Sequence, residues 1–181
     1  MENGGWVPSL YFDKIHSIEK EIMKAVRALD LNNCIVKGDV VLHNGRPMII
    51  EVAARLSGGD FSESLVPLGT GVNYVKSALD LCLGRRVDFH NLTRTKNRTV
   101  ANRYFFAKKG KLKEIKVAKD LNELSWLKKI EFWIQPGELI HEIHSHGQRS
   151  GVFVVVGTNR HDVMEKIRYV YDRVEFVYET Q

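Results

Sequence analysis

The stretch that decides the reading is Lys37-Gly38-Asp39-Val40-Val41-Leu42-His43-Asn44-Gly45-Arg46-Pro47-Met48-Ile49-Ile50-Glu51-Val52-Ala53-Ala54-Arg55. Two apolar runs, residues 34–43 and 47–53, flank Asn44-Gly45-Arg46. Asn-Gly between β-rich runs is a strong short-range signal for a hairpin. Each strand carries one carboxylate, Asp39 and Glu51, in otherwise apolar surroundings. A charge placed there is costly unless it is paired, exposed at a cleft or bound to a cation. If the loop is the three residues Asn44 to Arg46, positions 39 and 51 stand opposite each other on one face. A two-residue loop shifts the register by one and sends them to opposite faces.

Paired carboxylates with oxygen-only chemistry suit Mg²⁺ (or Mn²⁺), which is usually held by one or two carboxylates together with substrate phosphates. Asp39 and Glu51 are therefore the candidate metal ligands. A continuing strand presents Arg55 on the face of Glu51, where a guanidinium can clamp a phosphoryl or carboxylate group. Lys37 shares a strand face with Asp39, so it either neutralises a phosphate or pairs with a neighbouring acid. The loop Ser57-Gly58-Gly59-Asp60 is turn chemistry first, with the amides of Gly58 and Gly59 as a further anion cradle.

Around this hairpin the chain reads as α+β. Apolar residues at Ile15, Ile18, Ile22, Ala25, Val26 and Leu29 mark one face of a helix spanning residues 11–29. Asp60 or Ser62 is expected to cap one short helix, and a second is expected at about residues 72–83. Residues 88–99 are polar and patternless, so the boundary falls there. The expected domains are residues 1–90 and 91–181. In the second, strands at 103–107 and 114–117 are expected to flank a Lys-rich turn. A helix at 121–127, strands at 131–135 and 151–156, a helix at 161–172 and a strand at 174–178 follow.

Composition narrows the function classes. With 181 residues, 44% of them hydrophobic, the chain can bury a proper core. No apolar run is long enough to span a bilayer, and the amino terminus lacks a secretory pattern, so a cytoplasmic protein without a membrane partner is expected. Cys34 and Cys82 read as small core hydrophobes in a reducing compartment. The net charge of +5 and pI near 9.2 collect partly in Lys108-Lys109-Gly110-Lys111-Leu112-Lys113. No aromatic residues interleave with this run, so a solvated hairpin end is preferred to a nucleic-acid surface. His141, His144 and His146 share neither a helix face nor a strand face and read as a solvated loop.

The motif Lys-x-Asp, a short turn, then Ile-Glu-Val-x-x-Arg-x-x-Gly-Gly resembles the second half of the ATP-grasp fold. That superfamily includes carbamoyl-phosphate synthetase, biotin carboxylase, the purine-pathway ligases and the L-amino acid ligases. The resemblance implies an antiparallel ATP-grasp carboxyl-terminal subdomain with flanking helices, then a small α+β domain. It also implies ATP and Mg²⁺ as cofactors, and a reaction that joins a small carboxylate to an amine through an acyl phosphate. Asp39 and Glu51 match the acidic metal ligands and Arg55 the arginine that contacts phosphate and substrate. Where many members carry a third oxygen ligand as Glu-x-Asn, this chain has Ala53, which leaves the metal count open. The preceding substrate domain and nucleotide lid have no counterpart here. The expectation is thus a fragment, one piece of a split enzyme paired with a separate amino-terminal half or a second copy, or a non-catalytic relative.

Overall fold

The computed structural model describes residues 1–179. In chain order the elements are β1 (Trp6–Val7), α1 (Ile15–Ala28), β2 (Lys37–His43), β3 (Arg46–Ala53), α2 (Val66–Thr70), α3 (Tyr74–Cys82), β4 (Thr99–Phe105), β5 (Gly110–Val117), β6 (Leu127–Phe132), β7 (Leu139–Ile140), β8 (Gly151–Gly157), α4 (Arg160–Tyr171) and β9 (Val174–Tyr178). They form two compact units: residues 8–96, the hairpin unit, and Met1–Val7 with residues 97–179, the sheet unit. None of the helices among the described residues is long and apolar enough to cross a membrane.

In the hairpin unit, β2 and β3 pair antiparallel and α1 lies against β3. Gly38 leaves room for the tip of Ile22 on the helix, which a Cβ there would have to displace. The period-3.6 face is real: Ile18, Ile22, Ala25 and Val26 are half-buried, whereas Ile15 and Leu29 are exposed. The helix expected at 72–83 is α3, Tyr74–Cys82, separated from α2 by a break at Gly71. Gly71 terminates α2 in the left-handed region, and the Asn73 side chain caps α3 by accepting from the Lys76 amide. Such a cap satisfies an amide that the first helical turn leaves open. Neither Asp60 nor Ser62 caps a helix through its side chain. The Asp60 carbonyl instead accepts from the amides of Ser64 and Leu65, opening a π-type turn over Phe61–Leu65. Cys34 and Cys82 are both exposed, which corrects their reading as core residues: apolar sequence neighbours do not ensure burial at the margin of an element.

The sheet unit is built on β8, Gly-Val-Phe-Val-Val-Val-Gly, all of it buried. An uninterrupted apolar run of this length reads as a strand covered on both faces. It runs between β4 and β6, and β1 extends the sheet beyond β4, giving the antiparallel order β1-β4-β8-β6. Helix α4 covers one face with Val163, Ile167 and Val170, joining Ala101, Phe105, Leu121, Phe153 and Val155 in one core. Phe105 packs within 5.1 Å of both Phe132 and Phe153, ring centroid to centroid. A second, three-stranded sheet has the order β7-β5-β9.

Three expectations for this unit are corrected. β4 and β5 do not form a hairpin around the Lys-rich run: β4 pairs with β8, and β5 pairs with β7 and β9. Residues 106–109 therefore link two sheets, and Lys111 and Lys113 lie within β5 itself. The expected helix at 121–127 is a 3-10 turn, Lys119–Glu123. The strand expected at 131–135 is β6, Leu127–Phe132. Strand β1 is held by Arg103 and Arg160, whose guanidinium carbons lie 4.8 and 4.5 Å from the Trp6 ring centroid. Buried Asn102 also binds this segment, accepting from the Gly5 amide at 2.5 Å and donating to the Tyr104 hydroxyl at 3.2 Å.

Candidate functional site

The turn of the β2–β3 hairpin contains two residues, not three. His43 pairs with Arg46, and Asn44 and Gly45 both take positive φ, 50° and 75°. This is the type I′ geometry that Asn-Gly favours, because its twist matches that of the flanking strands. Read forward from such a turn, a regular ladder would place Asp39 opposite Ile50. Instead Val40 pairs with Ile49 and Asp39 with Glu51, leaving Ile50 as the extra residue of a β-bulge. The bulge returns the carboxylates to direct opposition, and Ile50 is left 68% exposed.

Gly38, Val40 and Leu42 alternate with the outer set, pairing with Val52, Ile49 and Pro47. The outer face therefore carries Lys37, Asp39, Val41 and His43 on β2, and Arg46, Met48, Glu51 and Ala53 on β3. The two carboxylate side chains are 50% and 54% exposed. Between them lies the ammonium of Lys37, 2.5 Å from Asp39 Oδ2 and 3.5 Å from Glu51 Oε1. The hydrogen bond to Asp39 raises the Lys37 pKa, and the charges of both acids add to it. The sequence left Lys37 as either a phosphate ligand or an acid partner; in this structure it partners both acids.

The strand does not continue to Arg55. It ends at Ala53, and the chain bends so that the Arg55 amide bonds the Ala53 carbonyl. The guanidinium nonetheless comes back toward the hairpin, with Nη2 3.9 Å from Glu51 Oε1 and Nη1 donating to the Leu56 carbonyl at 3.0 Å. Gly58 and Gly59 lie in a tight turn in which the Phe61 amide bonds the Gly58 carbonyl. Gly59 and Asp60 take positive φ of 64° and 66°, which costs Asp60 more than it would a glycine. Ser62, just beyond, is buried with no hydrogen-bond partner for its hydroxyl. Sequence reasoning missed the bridging position of Lys37 and the burial of Ser62. The even offset between Lys37 and Asp39 carried a signal for the first, and nothing in the sequence marked the second. Among the described residues no three His, Cys, Asp or Glu side chains converge as a metal site, so the histidines at 141, 144 and 146 form none.

Residues 103–179 match the family model described as L-amino acid ligase C-terminal domain 2. Nearly the whole chain aligns with parts of larger solved enzymes. It covers 98% of its length on phosphoribosylglycinamide synthetase from Anaerococcus prevotii, with a TM-score of 0.86 and 24% identity. For an L-amino acid ligase from Bacillus licheniformis the coverage is 99%, the TM-score 0.84 and the identity 21%.

This is the fold of the carboxyl-terminal part of an ATP-grasp superfamily ligase.

The biotin carboxylase domain of a Hydrogenobacter thermophilus 2-oxoglutarate carboxylase, solved as a dimer with MgADP and bicarbonate, shares this ATP-grasp architecture at TM-score 0.72 and 14% identity. The chain spans 45% of the length of each of the first two relatives and 39% of the third. None of the curated proteins matches the sequence.

Proposed function

We propose that the outer face of the β2–β3 hairpin is the metal- and phosphate-binding part of an ATP-dependent carboxylate–amine ligase. The observation that supports it most is the bulge-restored opposition of Asp39 and Glu51 around a cation, the Lys37 ammonium. Two accessible carboxylates already holding a positive charge fit a hard divalent cation, with phosphate oxygens and water completing its shell. A bound Mg²⁺ supplies charge neutralisation on the phosphates of ATP. Asp39 and Glu51 would hold it, Lys37 would turn from the carboxylates to a phosphate, and Arg55 would orient the phosphoryl group or the carboxylate substrate.

The reaction has two balanced steps. A substrate carboxylate oxygen attacks the γ-phosphorus of ATP, and the bond to ADP breaks to leave an acyl phosphate. An amine then attacks the acyl carbon, phosphate departs and the nitrogen gives up a proton. Most of the positioning groups for such a transfer must come from the rest of the length that the relatives possess. The working assembly in this reading therefore includes a partner segment or subunit carrying that half, in the cytoplasm, where ATP and Mg²⁺ are supplied.

Titration of the chain with Mn²⁺, followed by electron paramagnetic resonance, tests the site directly. Saturable binding is expected, abolished in Asp39→Asn and in Glu51→Gln, with circular dichroism unchanged. Lys37→Ala should bind the free ion more tightly, because its ammonium competes for the same oxygens. Saturable Mn²⁺ binding that persists unchanged in the Asp39→Asn, Glu51→Gln double variant sinks the assignment.

A further inference from the structure

The sheet unit has a concavity of its own, sharing no residue with the hairpin. A hollow of about 460 Å³ lies beside the start of β6, the end of β8 and Lys166 in the middle of α4. Its lining includes Arg98, Ser125, Trp126, Lys128, Thr158 and Lys166. Every charged side chain on that lining is a cation. Lys166 is already fixed in place: its ammonium bonds the Val156 carbonyl at 3.2 Å and Asp162 at 2.9 Å, 5.6 Å from the Trp126 ring centroid. Trp126 is held in turn by its carbonyl, which accepts from the Val156 amide, and by Tyr169, whose ring meets it edge-on at 5.8 Å.

Arg98 and Lys128, by contrast, have no acidic partner among the described residues. Two of the three lysines of β5 behave differently, since Lys111 pairs with Glu179 at 3.0 Å and Lys116 with Glu175 at 3.4 Å. On an ordinary charged surface, cations disperse among acids and lie on convex ground. Cations that converge on a hollow large enough for a small metabolite mark an anion site. The hydroxyl of Ser125 and the fork of Arg98 suit the oxygens of a phosphate group.

We propose that this hollow binds the phosphate group of a small phosphorylated organic ligand, at a second site outside the hairpin. The ester can come from a nucleotide or from a sugar phosphate, and the test separates the two. The full chain, held in EDTA so that no metal-bridged binding at the hairpin contributes, is titrated with AMP, ribose 5-phosphate, inorganic phosphate and adenosine at fixed ionic strength. Tryptophan fluorescence and calorimetry report binding.

Saturable binding of one or both phosphate esters is expected. The Arg98→Ala, Lys128→Ala variant should weaken it by roughly tenfold or more, the scale of a lost charge-assisted hydrogen bond. Preference for AMP assigns a nucleotide, and equal binding of the two esters assigns the sugar phosphate. A variant that removes the same charge elsewhere, Lys109→Ala with Lys113→Ala, should leave the affinity unchanged, as should Asp39→Asn. The proposal is overturned if neither ester binds, if adenosine or inorganic phosphate binds as tightly as the esters, or if the Lys109, Lys113 variant weakens binding equally. Insensitivity to Asp39→Asn keeps this outcome separate from the fate of the hairpin assignment.

Discussion

Strands β8 and β3 both carry β-branched apolar residues, Val in the first and chiefly Ile in the second, yet they end in opposite circumstances. Every residue of β8 is buried, between strand neighbours on both edges and under α4. No residue of β3 is fully buried; it has β2 along one edge and α1 on one face. Hydrophobic content thus decides that a strand forms, while the number of covering elements decides how much of it leaves water. One region is completed by its own sheet. The other keeps an outer face on which charged and apolar side chains, Asp39 and Glu51 beside Val41 and Met48, stand side by side in solvent. A face kept open in this way is available to ligands and partners.

The contrast can be broken most forcefully at Phe153. Phe153→Ala removes a fully buried ring from the core of the sheet unit and should cost roughly 3–5 kcal/mol, measured by chemical denaturation. A loss below ~1 kcal/mol would show that β8 is not the keystone its burial indicates. Next in size, Asn102→Ala leaves the Gly5 amide without its acceptor and the Tyr104 hydroxyl without its donor. The expected loss is about 1–3 kcal/mol, together with faster hydrogen exchange at Gly5.

The pH dependence sharpens the comparison further. The Asp162 carboxylate accepts from Lys166, Thr158 N–H and the Thr158 hydroxyl, and these bonds lower its pKa below the usual aspartate range. A lowered native pKa contributes stability above the ordinary aspartate pKa of about 3.9, lost as pH falls through the native value. Wild type should therefore exceed Asp162→Asn in stability at neutral pH, and the gap should close under acid. A gap independent of pH would refute that account. The smallest effect belongs to Ile50→Ala on the bulge, expected within roughly 0.5 kcal/mol, because its side chain already faces water. A larger loss would mean that the bulge is covered.

What was legible in the sequence follows the same division. Strong periodicity located α1 and α4, and short apolar runs located β8 and β9, since both are local properties of the sequence. The motif located the carboxylate pair, but the route by which it comes into opposition was hidden. Ile50 sits in an apolar run, and nothing in its chemistry distinguishes a bulge residue from a ladder residue. The link between β4 and β5 misled for a related reason: sequence neighbours usually pair, and only long-range competition from β8 and β9 shows otherwise. Lys37 was visible as a strand-face neighbour of Asp39, whereas its contact with both acids depends on the register that the bulge creates.

One further consequence lies in β1. Trp6 and Val7 pair with Ala101 and Val100, so the sheet unit contains chain from both sides of residues 8–96. During synthesis the whole hairpin unit has emerged before β4 exists for Trp6 to join. The first strand of the sheet must wait, unpaired, while everything inserted after it is made. Residues 97–179 expressed alone would therefore present β4 with an uncovered edge, the kind of edge that invites pairing between copies.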